Sequence, residues 1–123
     1  GVQVKKSAAG LGLFTVAPFK RGETIIEYVG NMLTTEQADK KAGKYLFEIS
    51  SRRTIDGTPR WNTARYINHS CRGNAEPIIY KHCVYIFAKR KILPGEEIVY
   101  DYGKEFWKEY IKPKGCKCEK CTF

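Results

Sequence analysis

Short apolar stretches, each closed by a turn residue, set the rhythm of this chain. The run Leu13-Phe14-Thr15-Val16-Ala17, ended by Pro18 and the turn Lys20-Arg21-Gly22, predicts a strand. Thr24 to Val29, ended by Gly30, predicts a second. Tyr45 to Ile49, Thr54 to Asp56, Ala75 to Tyr80 and Val84 to Ala88 follow the same pattern, and Ile98 to Tyr100 comes after the turn Pro94-Gly95. One segment departs from it. The Thr34 hydroxyl can cap a helix while Gln37, three residues on, returns the hydrogen bond, and Gly43 supplies a left-handed stop. Many short strands and few short helices predict a mostly β fold of small sheets.

A chain of 123 residues builds one core and little more. Apolar residues at 42% and aromatics at 13% argue for a folded chain and against disorder. No apolar run approaches the roughly 18 residues of a membrane span, so no membrane partner is expected. Nothing at the start reads as a signal peptide, and the opening Gly1-Val2 leaves upstream targeting open.

Charge changes the picture. Lys and Arg number 22 against 13 acidic residues, a balance of +9 that attracts polyanions. The cations are scattered (Lys5-Lys6, Lys40-Lys41, Arg52-Arg53, Lys89-Arg90-Lys91, and lysines from Lys104 to Lys120), and no nucleic-acid-reading motif accompanies them. A solvated basic face is the plain reading, with non-specific nucleic-acid contact as its alternative. The five cysteines are an odd count with three crowded between Cys116 and Cys121. That pattern suits a metal better than disulfides and favours a reducing, intracellular compartment. With no G-x-S-x-G, no P-loop and two histidines, hydrolytic or phosphoryl-transfer machinery is hard to assemble.

Two longer motifs carry the chemistry. Arg65-Tyr66-Ile67-Asn68-His69-Ser70-Cys71 and Gly95-Glu96-Glu97-Ile98-Val99-Tyr100-Asp101-Tyr102-Gly103 resemble the signature segments R-F-I-N-H-S-C and G-E-E-L-x-Y-D-Y of the SET-domain protein lysine methyltransferases. Gly10-Leu11-Gly12-Leu13-Phe14 and Cys116-Lys117-Cys118 stand in the family's order, so the resemblance runs from about Val2 to Cys121. It implies small curved sheets with a C-terminal segment threaded, as a pseudoknot, through the loop of the Asn-His-Ser-Cys stretch. It also implies a SET domain over residues 1–103 and a post-SET tail over 104–123.

The implied reaction is methyl transfer from S-adenosylmethionine to a lysine of a histone tail or another basic, lysine-rich protein. The cofactor carries the reactivity, and the protein supplies placement and a neutral amine. Tyr102 maps onto the catalytic tyrosine and Tyr45 onto the tyrosine between cofactor and lysine channel. Tyr100 maps onto the position that limits the number of methyl groups, here implying mainly monomethylation. Gly10, Leu11, Gly12, Asn68 and His69 map onto cofactor-holding positions, the glycines as a turn. Trp107 is a candidate to cover the adenine. Cys116, Cys118 and Cys121 resemble the post-SET cysteines that join Cys71 on one zinc, with Cys83 left free and a shorter gap before Cys121 than the family's common form. Trp61 stands where the family has Gly, and Gly73 where it has Pro.

A +9 chain and a basic substrate repel, and two answers stand open: Glu48, Asp56, Glu76 and Asp101 can line a local acidic cleft, or the basic surface can hold nucleic acid beside the substrate protein. Chromatin is the implied setting in a eukaryote, and the cytoplasm or host cell in a bacterium or virus. Two other readings are a catalytically silent SET-like module that binds nucleoprotein and a small zinc-stabilised nucleic-acid binder.

Overall fold

A computed structural model of the chain describes residues 1–103 apart from 9, 42 and 44. The chain opens on a hairpin, β1 (Val2–Ser7) against β2 (Gly10–Thr15), in register from Val2 opposite Thr15 to Ser7 opposite Gly10. β3 (Thr24–Tyr28), β4 (Asn31–Thr34), α1 (Thr35–Lys41), β5 (Leu46–Ser50) and β6 (Arg53–Asp56) follow. A 3-10 turn (Thr63–Tyr66) then leads to β7 (Asn68–His69), β8 (Ala75–Tyr80), β9 (Cys83–Ala88) and β10 (Glu97–Tyr100). Three sheets result, ordered β1-β2-β10-β7, β3-β9-β8 and β4-β6-β5. The mostly β expectation holds.

Local signals placed several elements well. β8 has the predicted bounds, and β9 begins one residue early. The helix cap forms as read: Thr34 N–H donates to Gln37 Oε1 at 2.9 Å, and Gln37 N–H returns to Thr34 Oγ1 at 3.2 Å. Gly43 takes the positive φ, +136°, of a stop residue. β1 and β4 were not predicted; both are largely exposed, so neither shows a clean apolar alternation. β2 starts at Gly10 rather than Leu13, so the Gly10–Gly12 segment lies in a strand and not in the expected turn. Among the described residues no helix is long and apolar enough to cross a membrane.

Leu13, Ile67, Val84, Ile86, Ile92 and Ile98 are fully buried where the sheets meet. Each such side chain contributes roughly 1.5–3 kcal/mol. β10 runs through the middle of this core, and the chain from Asn68 to Asn74 wraps it. On one side β10 pairs with β7 in parallel, Val99 opposite Asn68 and Tyr100 opposite His69. Ser70 N–H then donates to the Tyr100 carbonyl at 3.0 Å.

Asn74, buried, completes the ring. Its backbone N–H reaches the Val99 carbonyl at 3.0 Å, its Oδ1 accepts from Val99 N–H at 3.0 Å, and its Nδ2 donates to the Glu97 carbonyl at 2.8 Å. Gly73 sits so close to the enclosed strand that an added Cβ would lie 2.6 Å from Tyr100 Cα. The backbone path of this chain therefore leaves room only for a glycine here, and the proline of the family pattern would require the loop to stand farther from Tyr100.

Candidate active site

The 3-10 turn ends where the wrapped strand emerges, and this brings the two long motifs together. Tyr45, Phe47, Arg65, Ile67, Tyr100 and Tyr102 line a cleft of about 410 Å³, its open mouth included. Strand alternation sends Tyr100 and Tyr102 to the same side, their ring centroids 5.0 Å apart. Tyr45 is fixed through its carbonyl, which accepts from the Tyr28 hydroxyl at 2.6 Å and from Gly57 N–H at 2.9 Å. The Arg65 guanidinium lies over the Tyr45 ring at 4.3 Å and the Tyr66 ring at 5.1 Å. Its Nε is buried without a hydrogen-bond acceptor among the described residues.

Burial sets the electrostatics of this cleft. It pushes the Tyr100 phenol far above its ordinary value, and it does the same to Tyr102, with the neighbouring tyrosines and Glu97 adding to the effect. Both hydroxyls therefore stay protonated at neutral pH. The Tyr102 hydroxyl donates to the Ile67 carbonyl, which fixes where its proton points. Tyr102 is placed to orient a neighbour, not to act as a phenolate base.

His69 is locked from two sides. Its Nδ1 accepts from Tyr102 N–H at 3.1 Å, so the ring proton sits on Nε2, 3.3 Å from Cys71 Sγ. Burial lowers the His69 pKa, while the nearby Asp101 carboxylate raises it; the net shift is downward. The 3.8 Å approach of Asp101 Oδ1 to Nδ1 is accordingly no ion pair, because a nitrogen accepting a backbone N–H cannot also donate. Asn68 lies beside it, with its amide nitrogen 2.9 Å from the Leu11 carbonyl and 2.8 Å from Glu97 Oε2.

The structure thus gathers Tyr45, Tyr100 and Tyr102 at the cleft, and Leu11, Gly12, Asn68 and His69 around the strand behind it. Gly10 begins the same strand as Leu11 and Gly12. Trp107, Cys116, Cys118 and Cys121 lie outside the described residues. Cys71 is half-buried beside His69, and Cys83 opens β9 at the far hairpin. Among the described residues no three His, Cys, Asp or Glu side chains cluster as metal ligands.

The acidic cleft does not form. Asp56, 1% exposed, bonds Lys41 of the helix and both the N–H and hydroxyl of Thr58. Burial alone would raise its carboxyl, but those bonds outweigh that and hold it below the usual range. Glu48, Glu76 and Asp101 do not line the aromatic cleft either. Trp61 is exposed, while its neighbour Asn62 is buried, accepting from Val29 N–H at 3.1 Å and donating to the Gly57 carbonyl at 3.1 Å.

Sequence reasoning missed two groups, Arg65 and Glu97, although both lie inside the quoted motifs. Arg65 stands three residues before Asn68 on the 3-10 turn, and Glu97 opens the wrapped strand. Their roles depend on partners remote in sequence, which no local pattern announces.

Comparison with known proteins agrees with this geometry. The SET domain profile matches residues 10–103. Histone-lysine N-methyltransferase trithorax of Drosophila virilis is 37% identical over 125 residues, covering 91% of this chain and 3% of that protein. Human Histone-lysine N-methyltransferase 2D is 34% identical, covering 91% and 2%. ASHH1 of Arabidopsis thaliana, also titled a histone-lysine N-methyltransferase, is 33% identical over 117 residues, covering 85% and 24%. The chain thus spans a small part of each relative's length.

Among solved structures, ctPRC2 in an autoinhibited conformation bound to S-adenosylmethionine superposes with a TM-score of 0.75 at 29% identity, over 84% of this chain and 15% of that one. An apo ctPRC2 with two substitutions in Ezh2 gives 0.77 at 29%, over 89% and 16%.

Proposed function

Because this chain belongs to the SET-domain family, we propose that it is a protein-lysine N-methyltransferase acting on a histone tail or another lysine-rich protein, mainly to the monomethyl product. The observation that carries the reading is the convergence of Tyr45, Tyr100 and Tyr102 on one cleft, with Tyr100 paired opposite His69 on the adjoining strand and the His69 ring 5.5 Å from that of Tyr102.

S-adenosylmethionine would supply a methyl group already activated on a sulfonium. The residues present fit such a donor. Arg65 Nε is a buried N–H lacking an acceptor, and a ligand with a carboxylate or other acceptor would satisfy it. Asn68 and His69 lie on the strand paired with β10, with the hairpin residues Leu11 and Gly12 against Asn68; we assign these to the donor's side. Gly10, at the start of the same strand, and Trp107 are assigned there by resemblance alone.

The cleft's own work is placement. A lysine side chain entering between Tyr45, Phe47 and Tyr100 leaves water, which lowers the amine's pKa and favours the neutral nucleophile. The Arg65 cation beside the channel acts in the same direction. Because the Tyr102 proton is committed to the Ile67 carbonyl, the phenol oxygen presents its lone pairs to the amine N–H groups. The amine lone pair is then free to face the methyl. The Tyr100 hydroxyl narrows the space for a second methyl group.

The post-SET reading of residues 104–123 adds one zinc held by Cys71, Cys116, Cys118 and Cys121. Cys71 fits the part through its place two residues from His69, where a metal would brace the loop that fixes the Tyr102 backbone. Nuclear chromatin is the setting this reading favours, since the relatives reported are histone-lysine methyltransferases of flies, plants and humans and not bacterial or viral proteins.

The test is methyl transfer from radiolabelled S-adenosylmethionine onto histones, ribosomal proteins and cell lysate, with products read by mass spectrometry. Labelled lysine in a protein supports the reading. Tight binding of the donor without transfer to any protein would instead indicate the silent module.

A further inference from the structure

Two turns far apart in sequence are bolted together behind the core. Phe19 and Ile92 exchange both backbone hydrogen bonds at 2.9 Å, Gly22 N–H donates to the Ala88 carbonyl at 2.8 Å, and Ala88 N–H donates to the Glu23 carbonyl at 2.9 Å. Ile92, fully buried, pins the pair to the core. The joined turns carry Lys20, Arg21, Lys89, Arg90 and Lys91, every one exposed.

Two carboxylates accompany them. Glu23 accepts from the backbone N–H of Lys20 at 2.7 Å, closing its own turn, and Glu96 pairs with Arg90 at 3.1 Å. Lys20, Arg21, Lys89 and Lys91 remain as outward cations on a rigid frame. Among the described residues other cations are occupied: Lys41 is tied to buried Asp56, Arg65 lies in the cleft, and Lys5 covers the Phe14 ring at 5.4 Å.

We propose that these two joined turns, residues 16–23 and 88–96, are a docking surface for the phosphate backbone of duplex nucleic acid. Four charges on a fixed frame suit a regular polyanion, which binds by counterion release and needs no base reading. The turns expose Val16 and Leu93 but no aromatic ring, since Phe19 is half-buried. A single strand would need such rings to stack on, so the surface fits a duplex.

The surface also meets the difficulty set by a +9 chain whose proposed substrate is itself basic. A polyanion lying between two basic proteins removes their repulsion. Glu96 immediately precedes β10, and Tyr100 at the cleft stands four residues on, about 13 Å along an extended strand at 3.3 Å per residue. A lysine-rich protein held on the same duplex is therefore within reach of the cleft.

The test is binding of the full chain to a random-sequence DNA duplex across 50 to 200 mM salt, without any methyl donor, so that its outcome is separate from that of the transferase reading. The quadruple variant Lys20→Gln, Arg21→Gln, Lys89→Gln, Lys91→Gln should flatten the slope of log K against log salt by about 3.6, so that between 50 and 200 mM salt the parent loses roughly 150-fold more affinity than the variant. Lys20→Gln and Lys91→Gln alone should each remove about one unit of slope, and thermal melting of every variant should match the parent. A tail variant with Lys104, Lys108, Lys112 and Lys114 all changed to Gln should keep the contribution of the turns. The proposal is overturned if the quadruple variant retains the parent slope. It is equally overturned if that variant loses binding to polyglutamate while keeping the duplex, since the surface would then serve acidic proteins.

Discussion

The Asn68 amide nitrogen donates to the Glu97 carboxylate at 2.8 Å, across 29 residues of chain. The same nitrogen lies 2.9 Å from the Leu11 carbonyl and 3.1 Å from the Ser7 hydroxyl, so one amide joins β7, β10 and the first hairpin. Gly12 makes the meeting possible. A Cβ there would fall 2.5 Å from Glu97 Oε2 and 3.1 Å from Asn68 Nδ2. The glycine thus makes room for the Asn68–Glu97 contact, whereas resemblance alone assigned it to backbone approach toward a cofactor.

Gly12→Ala should accordingly push Glu97 off Asn68. The expected loss of stability is about 1–3 kcal/mol, the usual cost of overpacking a filled site. Donor affinity should fall more than the catalytic rate, because the wall moves while the tyrosines stay. Calorimetry with S-adenosylmethionine, compared with the activity of the saturated enzyme, measures the split. Glu97→Gln, which keeps an acceptor for Asn68, should bind the donor nearly as the parent does; a loss as large as that of Gly12→Ala would refute the positioning role.

Tyr102→Phe removes one hydroxyl and leaves the Ile67 carbonyl without its donor. An unpaired buried acceptor costs about 1–3 kcal/mol of stability. Transfer should fall about 100-fold or more, as when a preorganised hydrogen-bonding group is deleted from an active site, with S-adenosylmethionine binding little changed. Near-parent turnover in a single-turnover assay would remove Tyr102 from its proposed role.

How much of this was legible beforehand follows from range in sequence. The Thr34–Gln37 cap closes over three residues, and β8 and β9 face each other across a two-residue turn, so local pattern sufficed for both. β7 is two residues long and exists because β10 passes beside it, which no periodicity reveals. The motif residues and their convergence were legible by resemblance, whereas local periodicity announced neither. The acidic cleft failed because Asp56, read as one of its lining acids, is instead closed over by Lys41 and Thr58, partners that no local pattern announces.

Asn74 is the clasp of the wrapped strand. Asn74→Ala strips the Val99 N–H of its acceptor and the Glu97 carbonyl of its donor in a buried setting. Two orphaned backbone groups should cost about 2–6 kcal/mol. Urea unfolding should show this as a lower midpoint with unchanged slope. Asn74→Asp should restore only the acceptor half.

Zinc analysis should find about one ion per chain, as a closed four-thiolate site requires. Cys71→Ser should lose the ion and, through His69, loosen the Tyr102 backbone. Cys83→Ser should retain it, since Cys83 opens β9 at a hairpin that belongs to a different sheet from β7 and β10. Retained zinc in Cys71→Ser would exclude Cys71 from the ligand set.

Tyr100 allows two independent readouts. Burial raises its phenol pKa in the folded chain, whereas the unfolded chain ionises near pH 10. Below that pH both states hold the proton and stability is unaffected by titration. Above it the unfolded state sheds the proton first, so the chain should lose about 1.4 kcal/mol per pH unit for each such phenol, with Tyr102 behaving alike. Tyr100→Phe should reduce the slope of stability against pH between 10 and 11 by one proton's worth. The same substitution widens the cleft by a hydroxyl, so the product should shift from monomethyl toward di- and trimethyl-lysine. A flattened alkaline slope with an unchanged product distribution would mean that Tyr100 is a buried core phenol that does not limit methylation. An unchanged slope would mean that its hydroxyl meets water in the folded chain.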